Sequence, residues 1–365
     1  IKFKPKKWNY NIDKKINLVI KNLKNSKRPL IHLGHGVKLS NAQKIVKKFF
    51  NKHKIPFGLT WNADDLISSD HNLYVGRPGA FGERGSNFIV QNCDFYLSIG
   101  SRLPYMVTGY NSKNFASRAN FKCMVDIDRF ELNREDINFN VKIQSDAKYF
   151  IEKLYKKMKL YNSRKEWIEY CKNIRKKYPI LIKKMINEKK YVNSYYFVKT
   201  LSELTRKNDS IITDMGFSFT TTHQALDIKD NQNFYTNSGH APMGWGLPAA
   251  IGAYFSKKQN SNVICLSGEG GLQMNIQELA TVMHNKIPMK IFIFNNGGYL
   301  TIKQTQILGF KGRIMGADKN SGLSFPSYKE IAKSHGIQYS KITNHNGLKN
   351  KLKKVLQTKK AFICE

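Results

Sequence analysis

The residues of this sequence best suited to chemistry lie between positions 267 and 299. An apolar run, Asn262 to Leu266, leads into Ser267-Gly268-Glu269-Gly270-Gly271, and a helical stretch follows from Asn275 to Ala280. A strand that feeds a Gly-rich turn and a helix start can cradle phosphate. Without Cβ atoms the backbone N–H groups approach the oxygens closely, and the helix dipole favours negative charge. A carboxylate in such a turn repels phosphate unless a divalent cation lies between them. Glu269 is therefore a candidate ligand for Mg2+ or Ca2+. The next apolar run ends in Asn295-Asn296-Gly297-Gly298-Tyr299, and Asn296 stands 27 positions after Glu269. In a βαβ unit that spacing brings both to one edge of adjacent strands. A carboxylate, an amide oxygen, the Gly298 carbonyl and two phosphate oxygens would nearly fill an octahedral shell. The alternative is a Gly-rich turn that serves packing alone. Residue types and spacing leave both open.

The elements that must position these turns come in two blocks. In the first, Pro29–Leu33, Ile55–Thr60, Asp94–Ile99 and Phe121–Val125 read as strands, with Val141–Ile143 as an edge strand and Asn41–Lys52 as an amphipathic helix. In the second, Ser210–Thr213, Asn262–Leu266 and Met289–Phe294 read as strands, with helices near 195–206, 243–255, 275–284 and 327–334. Alternating strands and helices imply an α/β fold with parallel sheets covered on both faces. The expected organisation is an α/β domain over 1–150, a basic helical connector over 151–190, and a second α/β domain over 191–365. In such sheets ligands sit beyond the carboxyl ends of the strands.

Hydrophobic residues make up 41% of the 365 positions, which suffices for packed cores and excludes a disordered class. Lys plus Arg is 61 against 26 Asp plus Glu, a balance of +35. Only 11 of the 61 are Arg, and the lysines are spread along the whole chain. Nucleic-acid readers concentrate basic residues and favour the arginine fork, so no nucleic-acid partner is expected. No apolar run reaches the ~18 residues of a membrane-spanning helix, and no membrane partner is expected. The five cysteines stand singly, as in a reduced, cytoplasmic protein. The sequence opens on Ile1 and closes on an apolar run, Ala361 to Cys364, so it reads as a piece of a longer chain.

The Glu269 turn, the helix Asn275–Thr281 and the Asn295–Tyr299 turn together resemble the diphosphate-binding motif of thiamine-diphosphate enzymes, in their acetolactate synthase-like branch. Asn237–Gly252 is similar to the segment leading into that family's next helix, and Thr213–Gly216 to the strand end that touches the diphosphate. Gly76–Gly79, Ser98–Arg102 and Val125–Asp128 resemble its central domain. The resemblance implies two Rossmann-like domains, central and diphosphate-binding, with an N-terminal pyrimidine-binding domain absent from this sequence. That absent domain would supply the catalytic glutamate, so this chain alone is expected to be inactive.

The resemblance implies thiamine diphosphate and Mg2+ as cofactors. Glu269, Asn296 and the Gly298 carbonyl become the metal ligands, with Glu269 standing where the family has Asp. Asp214, Gly216, Ser218, Gly244, Gly268, Gly270, Gly271 and Tyr299 become cofactor-binding residues, and Met243 the buttress that bends the cofactor. FAD is a further implied cofactor, lying near Gly34, Gly100, Ser101, Arg102, Asp126 and Asp128. The implied activity is carboligation of a 2-oxo acid, pyruvate by preference, to a second carbonyl, in a homodimer or homotetramer. Alternatives are a 2-oxo acid decarboxylase, an enzyme of nucleotide-sugar or surface-polysaccharide synthesis, and a non-catalytic binding protein.

Overall fold

A computed structural model describes residues 11–256 and 261–365; the first ten positions of the expected first domain lie outside that range. The chain divides into two compact units, Ile1–Ile180 and Leu181–Glu365. Each is built on one all-parallel sheet.

The first sheet contains β1 (Pro29–Leu33), β2 (Phe57–Leu59), β3 (Phe95–Ile99), β4 (Phe121–Asp126) and β5 (Val141–Gln144) in the order β2-β1-β3-β4-β5. Every residue of β1 and β3 is buried, because helices cover both faces and leave no solvent side. The strand order reverses between β1 and β3. Gly34 follows β1, Gly100, Ser101 and Arg102 follow β3, and Asp126 and Asp128 lie at the end of β4.

Residues 151–180 belong to this first unit. Ile151 and Leu154 of helix Ala147–Lys157 enter its core, with Met158 and Tyr161 after them. Helix Lys165–Lys177 buries Trp167 and Cys171, four positions apart on one stripe, and the Trp167 indole N–H donates to the Pro29 carbonyl at 2.9 Å. Long basic side chains fill the other faces of this helix.

The second sheet contains β6 (Ser210–Thr213), β7 (Asn233–Tyr235), β8 (Val263–Gly268), β9 (Lys290–Phe294), β10 (Gln338–Ser340) and β11 (Phe362–Cys364) in the order β10-β11-β9-β8-β6-β7. The chain direction across the sheet reverses between β6 and β8. Gly268 is in register with Phe294, so β8 and β9 end side by side. The expected helix over 275–284 starts later, at Glu278, and a separate helix, Glu269–Met274, precedes it; Asn275 (φ −134°, ψ 36°) lies between. The helix expected from Met243 starts at Gly246, because Gly244 is left-handed at φ +86°. Helix Phe217–Ala225 carries no apolar stripe in its sequence and is buried nearly all round. Among the described residues no helix is long and apolar enough to cross a membrane.

Candidate functional site

Three chain segments meet where β6 and β8 end, and Asp214 ties them together. Its carboxylate is fully buried. It accepts the N–H of Met215 at 2.7 Å and of Gly244 at 3.0 Å, and the Ser267 hydroxyl donates to it at 3.1 Å. Burial pushes the Asp214 carboxyl above the ordinary aspartate range, while these donors pull it back down. A side chain at Gly271 would put its Cβ 2.6 Å from this carboxylate, and one at Gly246 would lie 2.9 Å from the Asp214 Cβ. Gly271 and Gly246 are thus needed for close packing around Asp214.

Glu269 follows directly on β8 and is 2% exposed. Its Oε1 accepts the N–H of Asn296 at 2.9 Å and of Gly297 at 2.7 Å. The 27-residue spacing therefore closes into one contact, at the shared rim of β8 and β9. Oε2 is buried and has no hydrogen-bond partner. Burial raises the Glu269 carboxyl above its usual range, against the amides that favour its ionised form. A buried, unpartnered carboxylate oxygen is costly in protein and calls for a cation or a proton. The Tyr328 hydroxyl donates to the Glu269 carbonyl at 2.8 Å and fixes the turn from below.

The Asn296 turn is anchored on its far side. The Tyr299 N–H donates to the Ala317 carbonyl at 2.8 Å, and Gly298 bridges to Asp318. A Cβ at Gly298 would lie 2.1 Å from the Ala317 oxygen, so only glycine fits. Asn296 is exposed. The Tyr299 ring lies against Gly270, where a Cβ would meet its Cε1 at 1.9 Å. Around this rim the space is open: a Cβ at Gly268 or Gly297 would meet nothing within 4 Å, and one at Gly216 only the Thr301 hydroxyl at 4.0 Å. Met243 is half-buried on the loop before helix Gly246–Ser256. A cavity of about 420 Å³ opens beside the same turn, lined by Phe217, Asn295, Asn296 and Leu300 among others.

Of the residues picked from sequence, Asp214, Gly216, Gly244, Gly268, Glu269, Gly270, Gly271, Asn296, Gly298 and Tyr299 gather at the ends of β6, β8 and β9. Ser218 is buried, and its hydroxyl donates to the Met215 carbonyl at 3.3 Å. It is the second residue of its helix, and that bond turns it inward. Sequence reasoning gave no role to Ser267, Tyr328 or Asn275, whose amide donates to the Gly244 carbonyl at 2.8 Å. Their partners lie 31 to 59 positions away, and no local pattern announces such contacts.

In the first unit, the Gly34 N–H donates to the Ile99 carbonyl and the Gly36 N–H to the Gly100 carbonyl, both at 2.9 Å. A Cβ at Gly34 would lie 2.2 Å from the Gly100 oxygen. Arg102 is exposed and pairs with Glu131 at 2.7 Å, while Asp126 is buried and accepts the Asp128 N–H at 3.0 Å. Arg77 is buried between Asp64 and Glu83, each at 3.4 Å.

This geometry agrees with what the sequence matches. Residues 214–365 match the C-terminal TPP-binding domain of thiamine pyrophosphate enzymes, and residues 16–154 match their central domain. The chain belongs to this family. Its relatives include the acetolactate synthase large subunit of Cyanidium caldarium, 30% identical over 93% of this chain and 57% of that protein. The acetolactate synthase isozyme 2 large subunit of Escherichia coli K12 is 28% identical over 93% of this chain and 60% of that protein. A probable acetolactate synthase large subunit of Methanocaldococcus jannaschii is 30% identical over 100% and 61%. The chain thus spans 57–61% of the length of these relatives.

Proposed function

We propose that the second unit holds thiamine diphosphate through a divalent metal, Mg2+ first, and that the full-length protein joins a 2-oxo acid, pyruvate by preference, to a second carbonyl. The observation that carries this reading is Glu269 Oε2, buried without a partner at the rim where β8 and β9 end. A metal there would satisfy it, with the Asn296 side chain and the Gly298 carbonyl as further oxygen ligands. The open space at Gly216, Gly268 and Gly297 leaves room for diphosphate oxygens against the backbone. The bound cofactor would supply the electron sink for loss of carbon dioxide and for carbon–carbon bond formation. The chain's own part is to bind and orient. Asp214 holds three segments in register, Glu269 and Asn296 would hold the metal, and Met243 would support the cofactor. No residue of this chain is assigned the proton-transferring glutamate.

For FAD the first unit is a poorer fit. The Gly34 and Gly36 amides that could have met a diphosphate are spent on the β3 loop, and Arg102 is spent on Glu131. A homodimer or homotetramer is part of the proposal; the exposed Leu308, Phe310 and Met315 following the site support an assembly surface there. A cytoplasmic location is supported by five buried, unpaired cysteines.

The test is product analysis. The full-length protein is incubated with pyruvate, Mg2+ and thiamine diphosphate, alone and with 2-oxo acids, aldehydes or a nucleotide-linked ketosugar. Carboligated product is expected. Aldehyde alone would identify a decarboxylase, and no turnover of any donor would refute the enzyme reading.

A further inference from the structure

One carboxylate outside the metal rim reaches it through a single asparagine. Glu365 follows β11, the neighbour of β9. Its main chain is held on β10: the Glu365 N–H donates to the Ser340 carbonyl at 2.9 Å and its carbonyl accepts the Ile342 N–H at 2.7 Å. Its side chain is 6% exposed and receives three donors. Asn295 Nδ2 donates to Oε1 at 2.7 Å, Lys341 Nζ lies 2.6 Å from Oε1, and the Tyr339 hydroxyl donates to Oε2 at 2.5 Å. Asn295 is exposed, so its hydrogen bonds rather than burial set its rotamer. Its other atom, Oδ1, accepts the Gly297 N–H at 3.3 Å, and that same N–H donates to Glu269 Oε1 at 2.7 Å. A continuous path runs from Glu365 through Asn295 and Gly297 to Glu269.

We propose that Glu365 is a positioning residue for the metal turn, acting through Asn295 to set where Gly297 and the Asn296 main chain meet Glu269. This rests on the metal–diphosphate reading of the rim. The physical basis is a charge-assisted bond that holds one side chain in one orientation, and groups behind metal ligands act in this way. Glu365→Leu keeps the bulk but takes the acceptor oxygens away from all three donors.

The test uses full-length protein with Glu365→Leu and Asn295→Leu, singly and combined, and Tyr339→Phe as a control. Retention of Mn2+ in the presence of thiamine diphosphate is read from the free-ion paramagnetic signal, and thermal unfolding of metal-free protein is read in parallel. Glu365→Leu and Asn295→Leu should each weaken Mn2+ roughly tenfold. The double variant should be no worse than the weaker-binding single variant, because both cut one path. Tyr339→Phe should lower the melting temperature yet hold Mn2+ nearly as wild type. Unchanged Mn2+ affinity in both single variants would overturn the proposal. So would losses that merely track melting temperature across all variants. Wild-type protein that fails to retain Mn2+ with thiamine diphosphate would instead overturn the functional reading, and this proposal with it.

Discussion

Replacing Asp214 separates a packing hub from a ligand-touching acid. In Asp214→Ala the amides of Met215 and Gly244 and the Ser267 hydroxyl lose their acceptor in a fully buried place. Each orphaned donor costs about 1–3 kcal/mol, and water entering the vacated space returns part, so a loss of about 4 kcal/mol is expected. That is a large share of the ~5–15 kcal/mol of a typical domain. Asp214→Asn keeps an oxygen for the two amides and puts an NH2 toward Ser267, whose hydroxyl can turn and accept. It also relieves burial of a charge. The Asp214 carboxyl is raised by that burial, so its ionisation opposes folding: stability falls as pH rises from the ordinary aspartate pKa through the raised one. The lost charge assistance and the relieved burial nearly cancel, leaving about 1 kcal/mol of destabilisation for Asn. Urea denaturation of the two variants measures these differences, and calorimetry with thiamine diphosphate and Mg2+ gives binding. Asp214→Asn should bind the cofactor within about fivefold of wild type, since about 1 kcal/mol bounds what it can lose. An Asn variant with wild-type stability and no cofactor binding would refute the hub, because the carboxylate would then be touching the ligand itself.

The glycines around the rim should separate into two kinds. Gly271→Ala drives a Cβ to 2.6 Å from the Asp214 carboxylate and should cost about 1–3 kcal/mol in urea denaturation. Gly268→Ala meets open space at φ −80° and should leave stability within about 1 kcal/mol while weakening thiamine diphosphate binding by calorimetry. Lys290, 1% exposed, holds only the carbonyls of Pro288 and Lys360, and burial lowers its pKa from 10.5 to about 8. The unfolded chain binds the proton more tightly, so stability should rise by about 3 kcal/mol between pH 8 and 10.5, and Lys290→Met should flatten that slope.

Much of the site was legible because it is local. Strand, turn and helix are consecutive at 263–274, and 27 residues is what one crossover to the neighbouring strand consumes, so Glu269 and Asn296 had to share a rim. The inward turn of Ser218 was not legible, because helix Phe217–Ala225 is buried on most sides and its sequence shows no preferred face. The same holds for Asp214 as hub: its partners Gly244 and Ser267 are 30 and 53 positions away, and neither pairing follows from periodicity. The short strands β7 and β10 escaped because three residues carry too little pattern. Helix Lys165–Lys177 was legible within the basic helical connector despite its lysines, with Trp167 one of its two buried residues.

The claim beneath all of this is that Glu269 meets a divalent ion which in turn meets a diphosphate. Calorimetric titration of thiamine diphosphate into the full-length protein, in excess Mg2+ and again in excess chelator, reads it directly for wild type and Glu269→Gln. The account predicts binding that needs the metal and is weakened at least about tenfold in Glu269→Gln. Equal binding with and without metal, or an unaffected Gln variant, would contradict it.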